Sequence, residues 1–414
     1  MTKQTKMKRT IRTGDFKFSE EEKEAINRVV DSNRVTEYKE TKQFEKNWAE
    51  TIGTKYAVAM NSGTSALIAG LTSLKHLAKD NKKTKVITSP VTYIATSNAL
   101  KLCNLEPVYA DITKDTFALK PSGIEKILEE QNSEEFLGIL PVHLMGYPCD
   151  MDEINKIAKK YDLFVMEDTA QAHGSKYKGK TLGSMGDLSV FSFYIAHNIQ
   201  MGEAGMVNTN NLKINKLLKQ VKSNGRLCSC DICSRMEGAC PEIIKNEKQN
   251  GPEDFDPRFT HDMFGYNFRT NEFTMALGNV KVKEIDQIND KRRENVRYLN
   301  KGLEKHQDIL QLPKYSEDVS YLGYPLIVKQ GRGNRSEIKQ GLEDRGIETR
   351  SLFGCIPTQQ PSFSYLKKQY EGKLPNAEHI GKNGFYIGVH QFLEKDDLDY
   401  IVKSFDEVLR DDKG

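Results

Sequence analysis

Short apolar runs alternate with longer amphipathic segments along most of this chain. Tyr56–Met60, Val86–Pro90, Pro107–Asp111, Gly138–Leu144, Leu163–Met166 and Leu188–Tyr194 are nearly continuous in apolar residues. Runs of that length predict strands buried on both faces. Between them, Ser122–Glu130 and Met151–Tyr161 carry helical periodicity. Ahead of them, Ser19–Ser32 predicts a helix with Ser19 as its N-cap before Glu20-Glu21-Glu22, and Lys42–Ile52 predicts a second. Strands alternating with helices predict an α/β chain whose mainly parallel sheet is covered on both faces. Phe273–Leu303 then reads as one long helix, followed by strands at Gly323–Val328 and Phe385–Gly388 and a closing helix at Lys395–Leu409. The expected organisation is an N-terminal arm over 1–15, a large domain over 16–275, and a linking helix with a small C-terminal α+β domain over 276–414. Residues 225–257 break the rhythm, being rich in Cys, Asn, Pro and acidic side chains, with weak periodicity, and read as a long ordered loop or insertion.

Composition narrows the class. The chain has 414 residues, 37% hydrophobic and 29% charged, with a net charge of +3. That excess is too small, and too evenly mixed with acids, to predict nucleic-acid binding. The basic stretch Lys3–Arg12 reads as a solvated arm. No apolar run reaches the length of a membrane span, and the N-terminus lacks a secretory leader, so a cytoplasmic protein is expected. In a reducing compartment the seven cysteines argue against a disulfide framework.

Three constellations carry chemistry. Tyr56–Met60 runs into Asn61-Ser62-Gly63-Thr64-Ser65-Ala66, and a strand, a small-residue turn and a helix start can cradle a phosphate or simply cap the helix. Glu167-Asp168 closes one strand and Ile195-Ala196-His197-Asn198 follows the next, so a carboxylate and an imidazole could face each other across one ring. Finally, Cys228, Cys230, Cys233 and Cys240 lie within one short stretch. Four such thiols can hold zinc or an iron–sulfur cluster, and the spacing does not choose. Cys103, Cys149 and Cys355 are isolated and read as buried thiols.

The run Glu167-Asp168-Thr169-Ala170-Gln171-Ala172-His173-Gly174, with Gly186-Asp187, Phe191-Ser192-Phe193 and Gly202-Glu203-Ala204-Gly205, resembles the sugar-aminotransferase branch of the pyridoxal phosphate (PLP) enzymes. The resemblance extends from about Phe16 to the C-terminus and implies the aspartate-aminotransferase-like fold, fold type I. It implies a cofactor-phosphate site of Gly63, Thr64, Ser65 and Ser192, completed by Asn267 of a partner in a homodimer. Tyr93 would lie against the pyridine ring, Asp168 at its nitrogen and Gln171 at its hydroxyl. Tyr194, Arg350 and Phe353 are implied near the sugar.

The pattern departs from the family at one position, where the cofactor-binding lysine is replaced by His197. Alone, His197 reads as a satisfied core histidine or as the relic of a transaminase that lost activity. In this context the cofactor cannot be held as a lysine imine, which favours pyridoxamine phosphate (PMP) bound non-covalently, and imidazole can exchange protons near neutral pH. That departure is typical of the family's sugar 3-dehydratases. Those acting on CDP-linked 4-keto-6-deoxyhexoses carry a [2Fe–2S] cluster on clustered cysteines, with somewhat different spacings, and need a separate NAD(P)H-dependent flavin or iron–sulfur reductase. The competing readings are an ordinary sugar aminotransferase, a dehydratase of GDP sugars without a cluster, and a non-catalytic relative whose cysteines bind zinc.

Overall fold

The computed structural model describes residues 10–78, 80, 82–228, 230, 238–249 and 251–411. A seven-stranded sheet organises the large domain: β1 (Tyr56–Met60), β2 (Lys85–Thr88), β3 (Glu106–Tyr109), β4 (Phe136–Leu140), β5 (Phe164–Asp168), β6 (Leu188–Ser192) and β7 (Gly205–Thr209). Their spatial order is β1, β7, β6, β5, β4, β2, β3. Strands β2 to β6 pair in parallel, whereas β7 runs antiparallel to both β1 and β6. The parallel strands are buried nearly throughout, as expected for a sheet covered on both faces. A second, antiparallel sheet contains β8 (Leu310–Gln311), β9 (Tyr324–Val328), β10 (Arg350–Ser351) and β11 (Gly384–Ile387), in the order β8, β9, β11, β10.

The helices show how local and distant residues share the capping of orphan amides. Glu20–Ser32 begins with a complete capping box between Ser19 and Glu22. Lys39–Ile52 starts three residues before the predicted Lys42 and has no side-chain cap of its own. Its cap comes from far along the chain. The buried Glu272 carboxylate accepts from the amides of Tyr38 (2.7 Å), Glu40 (2.7 Å) and Thr41 (3.0 Å) and from the Thr41 hydroxyl (2.5 Å). This places the helix so that Trp48 inserts edge-on against Phe191 and Phe193, at centroid distances of 5.1 and 4.8 Å. The end of β6 thus rests on a rigid aromatic floor.

Three expectations are corrected. The long helical pattern is two helices, Glu272–Lys281 and Ile285–Leu303, separated by a 3-10 turn at Val282–Glu284. The N-terminal arm is not wholly solvated: Ile11 is buried and bonded through its amide to Gly346 O (2.8 Å), and its carbonyl accepts from Glu348 N (2.8 Å). The insertion contains a helix, Pro241–Lys248. Its ends are fastened together by Leu227 N to Thr260 O (2.9 Å) and Cys228 N to Pro257 O (3.1 Å). Among the described residues no helix is long and apolar enough to cross a membrane.

Candidate active site

The ends of β5 and β6, the start of helix Gly63–Ala78 and four small-domain residues, Leu322, Arg350, Phe353 and Tyr386, enclose a cavity of about 390 Å³. Gly63, Thr64, Tyr93, Asp168, Gln171, Ser192, Tyr194, His197, Arg350 and Phe353 all line it. Ser65 does not. It is buried, its hydroxyl bonded to Asn61 Oδ1 (2.6 Å), while its amide donates to Ser62 Oγ (3.1 Å). Ser62 is therefore the residue that both caps this helix and reaches the cavity. Asn267 is exposed and outside the cavity of its own chain.

The helix start is built for an anion. The Gly63 and Thr64 amides precede any intrahelical acceptor and face the cavity with the positive end of the helix dipole. A glycine is required there: a Cβ on Gly63 would lie 2.5 Å from Ser192 Cβ and 2.8 Å from its Oγ. Only that close approach brings the Ser192 hydroxyl beside the helix amides.

The two acidic residues at the end of β5 have separate tasks. Glu167 is structural. Its oxygens accept from the amides of Gly183 (2.8 Å), Met185 (2.8 Å) and Gly186 (2.7 Å), and lie 3.2 Å from His143 Nε2. Asp168 lines the cavity, with Oδ2 accepting from Thr96 Oγ1 (2.9 Å) and Oδ1 from the Ala170 amide (3.2 Å). Burial pushes its pKa up, opposed by those two hydrogen bonds. Among the described residues no lysine or arginine pairs with it, and the charge of nearby His143 also favours its ionised form. Gln171 Oε1 accepts from Met145 N (3.0 Å). That fixes the amide orientation and leaves Nε2 as its donor. A protonated ring nitrogen, a ring oxygen and a phosphate would each find a complementary group here, so these residues fit a pyridoxal-type cofactor.

His197 sits half-buried on the turn after β6. Its Nδ1 donates to the carbonyl of Ser192 at 2.7 Å, which fixes the tautomer and leaves the Nε2 lone pair. Burial lowers its pKa to about 4, with the Ser192 carbonyl opposing and the Arg292 charge adding to the fall. The ring is therefore an unprotonated acceptor at neutral pH. No lysine is among the described residues lining the cavity.

The cysteines give a different picture. Cys228 is half-buried, Cys230 exposed and Cys240 buried, while Cys233 lies outside the described residues. Among the described residues no three His, Cys, Asp or Glu side chains are gathered as metal ligands. The three remaining thiols are buried, as expected. Sequence reasoning missed Ser62 and Thr96, and also Glu203 and Tyr386, which line the cavity. The polar residue ahead of Gly63 was a usable signal for Ser62; Thr96 and Tyr386 are brought in by the fold alone.

Residues 17–406 match the model of the DegT/DnrJ/EryC1/StrS aminotransferase family. The chain is 31% identical to the lipopolysaccharide biosynthesis protein RfbH of Salmonella typhimurium, over 88% of this chain and 84% of that protein. It is 30% identical to the dTDP-4-dehydro-2,6-dideoxy-D-glucose 3-dehydratase of Saccharopolyspora spinosa, over 96% and 86% respectively. Among solved structures, the Escherichia coli GDP-4-keto-6-deoxy-D-mannose 3-dehydratase with bound hydrated PLP superposes with a TM-score of 0.82 at 27% identity, covering 96% of this chain and all of that one (100%).

Proposed function

The chain belongs to the DegT/DnrJ/EryC1/StrS aminotransferase family, and from that premise we propose that it is a PMP-dependent 3-dehydratase of a nucleotide-linked 4-keto-6-deoxyhexose. The carrying observation is the cavity in which His197 presents Nε2 as an unprotonated acceptor and no lysine stands among the described lining residues. The similarity to two 3-dehydratases supports the same choice.

When bound, the cofactor supplies an amine to condense with the sugar ketone and a conjugated ring that accepts electrons. Asp168 would keep the ring nitrogen protonated. Gln171 Nε2 would donate to the ring oxygen, Tyr93 would lie against the ring, and Gly63, Thr64 and Ser192, joined by Asn267 of the partner subunit in a homodimer, would hold the phosphate. Ser62 replaces Ser65 in that set. His197 Nε2 accepts the proton whose removal lets the C-3 hydroxyl leave. Tyr194, Arg350 and Phe353 flank the space left for the sugar.

A [2Fe–2S] cluster on Cys228, Cys230, Cys233 and Cys240, fed by a separate NAD(P)H-dependent reductase, is the second part of the proposal. Four clustered thiols and the resemblance to CDP-sugar dehydratases support it. The described thiols are not gathered, so no step is derived through a cluster. CDP as the nucleotide rests on the same resemblance, with dTDP and GDP as alternatives.

The deciding experiment incubates purified protein with PMP and each 4-keto-6-deoxyhexose nucleotide in deuterated buffer. Exchange at the cofactor methylene, lost in His197→Asn while PMP still binds, is the expected result. A lysine-linked cofactor after borohydride treatment would instead identify an aminotransferase. Stoichiometric zinc without iron in anaerobically prepared protein would overturn the cluster while leaving the dehydratase reading intact.

A further inference from the structure

Behind His197 lies a buried cation that the sequence did not single out. Arg292 is 1% exposed on the helix Ile285–Leu303 that links the two domains, and among the described residues no carboxylate pairs with it. Its Nη1 donates to the carbonyls of Tyr321 (3.1 Å) and Leu322 (3.0 Å), and Nη2 to Gln391 Oε1 (3.4 Å). Nε has no partner. A guanidinium is expensive to bury without a counter-charge, so it is retained against a steady cost.

What it holds is the wall of the cavity. Leu322 lines the cavity, and Tyr321 before it sits at φ +44°, a left-handed conformation unfavourable for an aromatic residue. The same segment is gripped from the His197 side. Asn198 Nδ2 donates to Ser320 O (2.9 Å) and to Asn289 Oδ1 (3.2 Å), and Asn289, one helical turn before Arg292, donates to His173 O (2.8 Å). One helix face therefore ties the His197 turn and the 320–322 wall into a single unit.

We propose that Arg292 is a positioning residue for His197: its guanidinium fixes the cavity wall through the Tyr321 and Leu322 carbonyls, and its charge, one helical turn from the Asn289–Asn198 bond, adds to burial in favouring the neutral imidazole. This rests on the assignment of His197 as the base. The other groups facing His197 are His173 (ring centroids 6.1 Å apart) and Tyr194 (6.0 Å), with Asp168, Glu203, Arg350 and Tyr386 on the cavity walls. His173 is itself held neutral, its pKa driven well down by burial, with the Arg292 charge adding to the fall. Burial is the first cause of the low His197 pKa, and the Arg292 charge adds to it.

The test is the protonation of His197, read by NMR of ring-labelled histidine and assigned with His197→Asn. Wild-type His197, at about 4, should remain mostly neutral at pH 5. In Arg292→Met its midpoint should rise, so that more of the imidazole is protonated at pH 5 than in the wild type, and the acid limb of methylene exchange should move with it. Arg292→Lys keeps the charge but not the two-carbonyl fork. It should leave His197 neutral at pH 5 while lowering the exchange rate. A folded Arg292→Met protein with His197 still neutral at pH 5 would overturn the proposal. Should that variant not fold, an imidazolium signal at pH 5 in Arg292→Lys would overturn it equally. Absence of PMP binding or exchange in the wild type would instead overturn the assigned function, leaving the His197 midpoint to decide the role of Arg292.

Discussion

Gly63→Ala is the sharpest perturbation of the phosphate cradle. The added methyl would lie 2.5 Å from Ser192 Cβ, 2.8 Å from Oγ and 3.3 Å from Cα, so the two elements must separate by about 1 Å to reach ordinary contact. Ser192 cannot retreat, because it pairs with Gly205 in the antiparallel ladder, and a Cβ on Gly205 would itself meet Ser62 O at 2.1 Å. The helix start must therefore move outward, taking the Gly63 and Thr64 amides with it. A hydrogen bond to a charged group is worth roughly 1.5–3 kcal/mol. Weakening the pair should cost about 2–3 kcal/mol of PMP affinity, roughly 30- to 150-fold in Kd. The assay is a fluorescence titration with PMP, alongside thermal unfolding of the cofactor-free protein. Gly53→Ala is the control. Gly53 has φ +82° with nothing within 4 Å of a Cβ, so that variant should lose about 1 kcal/mol of stability with unchanged affinity. If Gly63→Ala binds PMP like the wild type, the cradle is not where the cofactor phosphate sits.

Two further outcomes follow from buried polar groups. Glu272→Ala strands the amides of Tyr38, Glu40 and Thr41 and should destabilise the fold by roughly 3–5 kcal/mol, measured by denaturant titration. A loss below 1 kcal/mol would show that solvent caps this helix equally well. His390 is 3% exposed, and burial, helped by the Arg292 charge, lowers its pKa to about 4. The unfolded chain therefore binds the extra proton, and the stability from keeping His390 neutral is complete above about pH 6.5 and lost as pH falls towards 4. That loss should reach roughly 3 kcal/mol. His390→Asn should flatten that part of the stability curve, and an unchanged slope would refute the assignment.

What the sequence made legible was whatever is local in the chain. The parallel strands, the Ser19 capping box and the order of site residues are written in apolar runs and short motifs, and the cavity gathers ten of the residues expected in it. What it hid depends on distant partners. The start of the second helix is set by Glu272, over two hundred residues away, so its boundary was placed at Lys42 instead of Lys39. β7 went unnoticed because Gly205–Thr209 ends in Asn208 and Thr209 and interrupts the parallel rhythm with an antiparallel strand. Ser65 entered the expected phosphate set through the family resemblance, whereas in the fold its amide donates to Ser62 Oγ, and Ser62 is the residue that caps the helix. Arg292 carries no motif. Its meaning comes from lying buried without an acid beside it.

The end of β6 shows how a histidine at position 197 is built into the site. Ser192 serves both functions at once: its hydroxyl side packs against Gly63 at the anion cradle, while its carbonyl takes the Nδ1 proton of His197. A lysine ammonium could also donate to that carbonyl, but it would have no lone pair left, whereas imidazole donates at one nitrogen and accepts at the other. With Nδ1 committed, Nε2 is an acceptor by construction, and the low pKa keeps it one through the neutral range. The same turn then passes to Asn198, which anchors the 320–322 wall. Anion binding, base orientation and cavity shape are thus set by consecutive positions around one strand end, so a backbone shift there should disturb all three together.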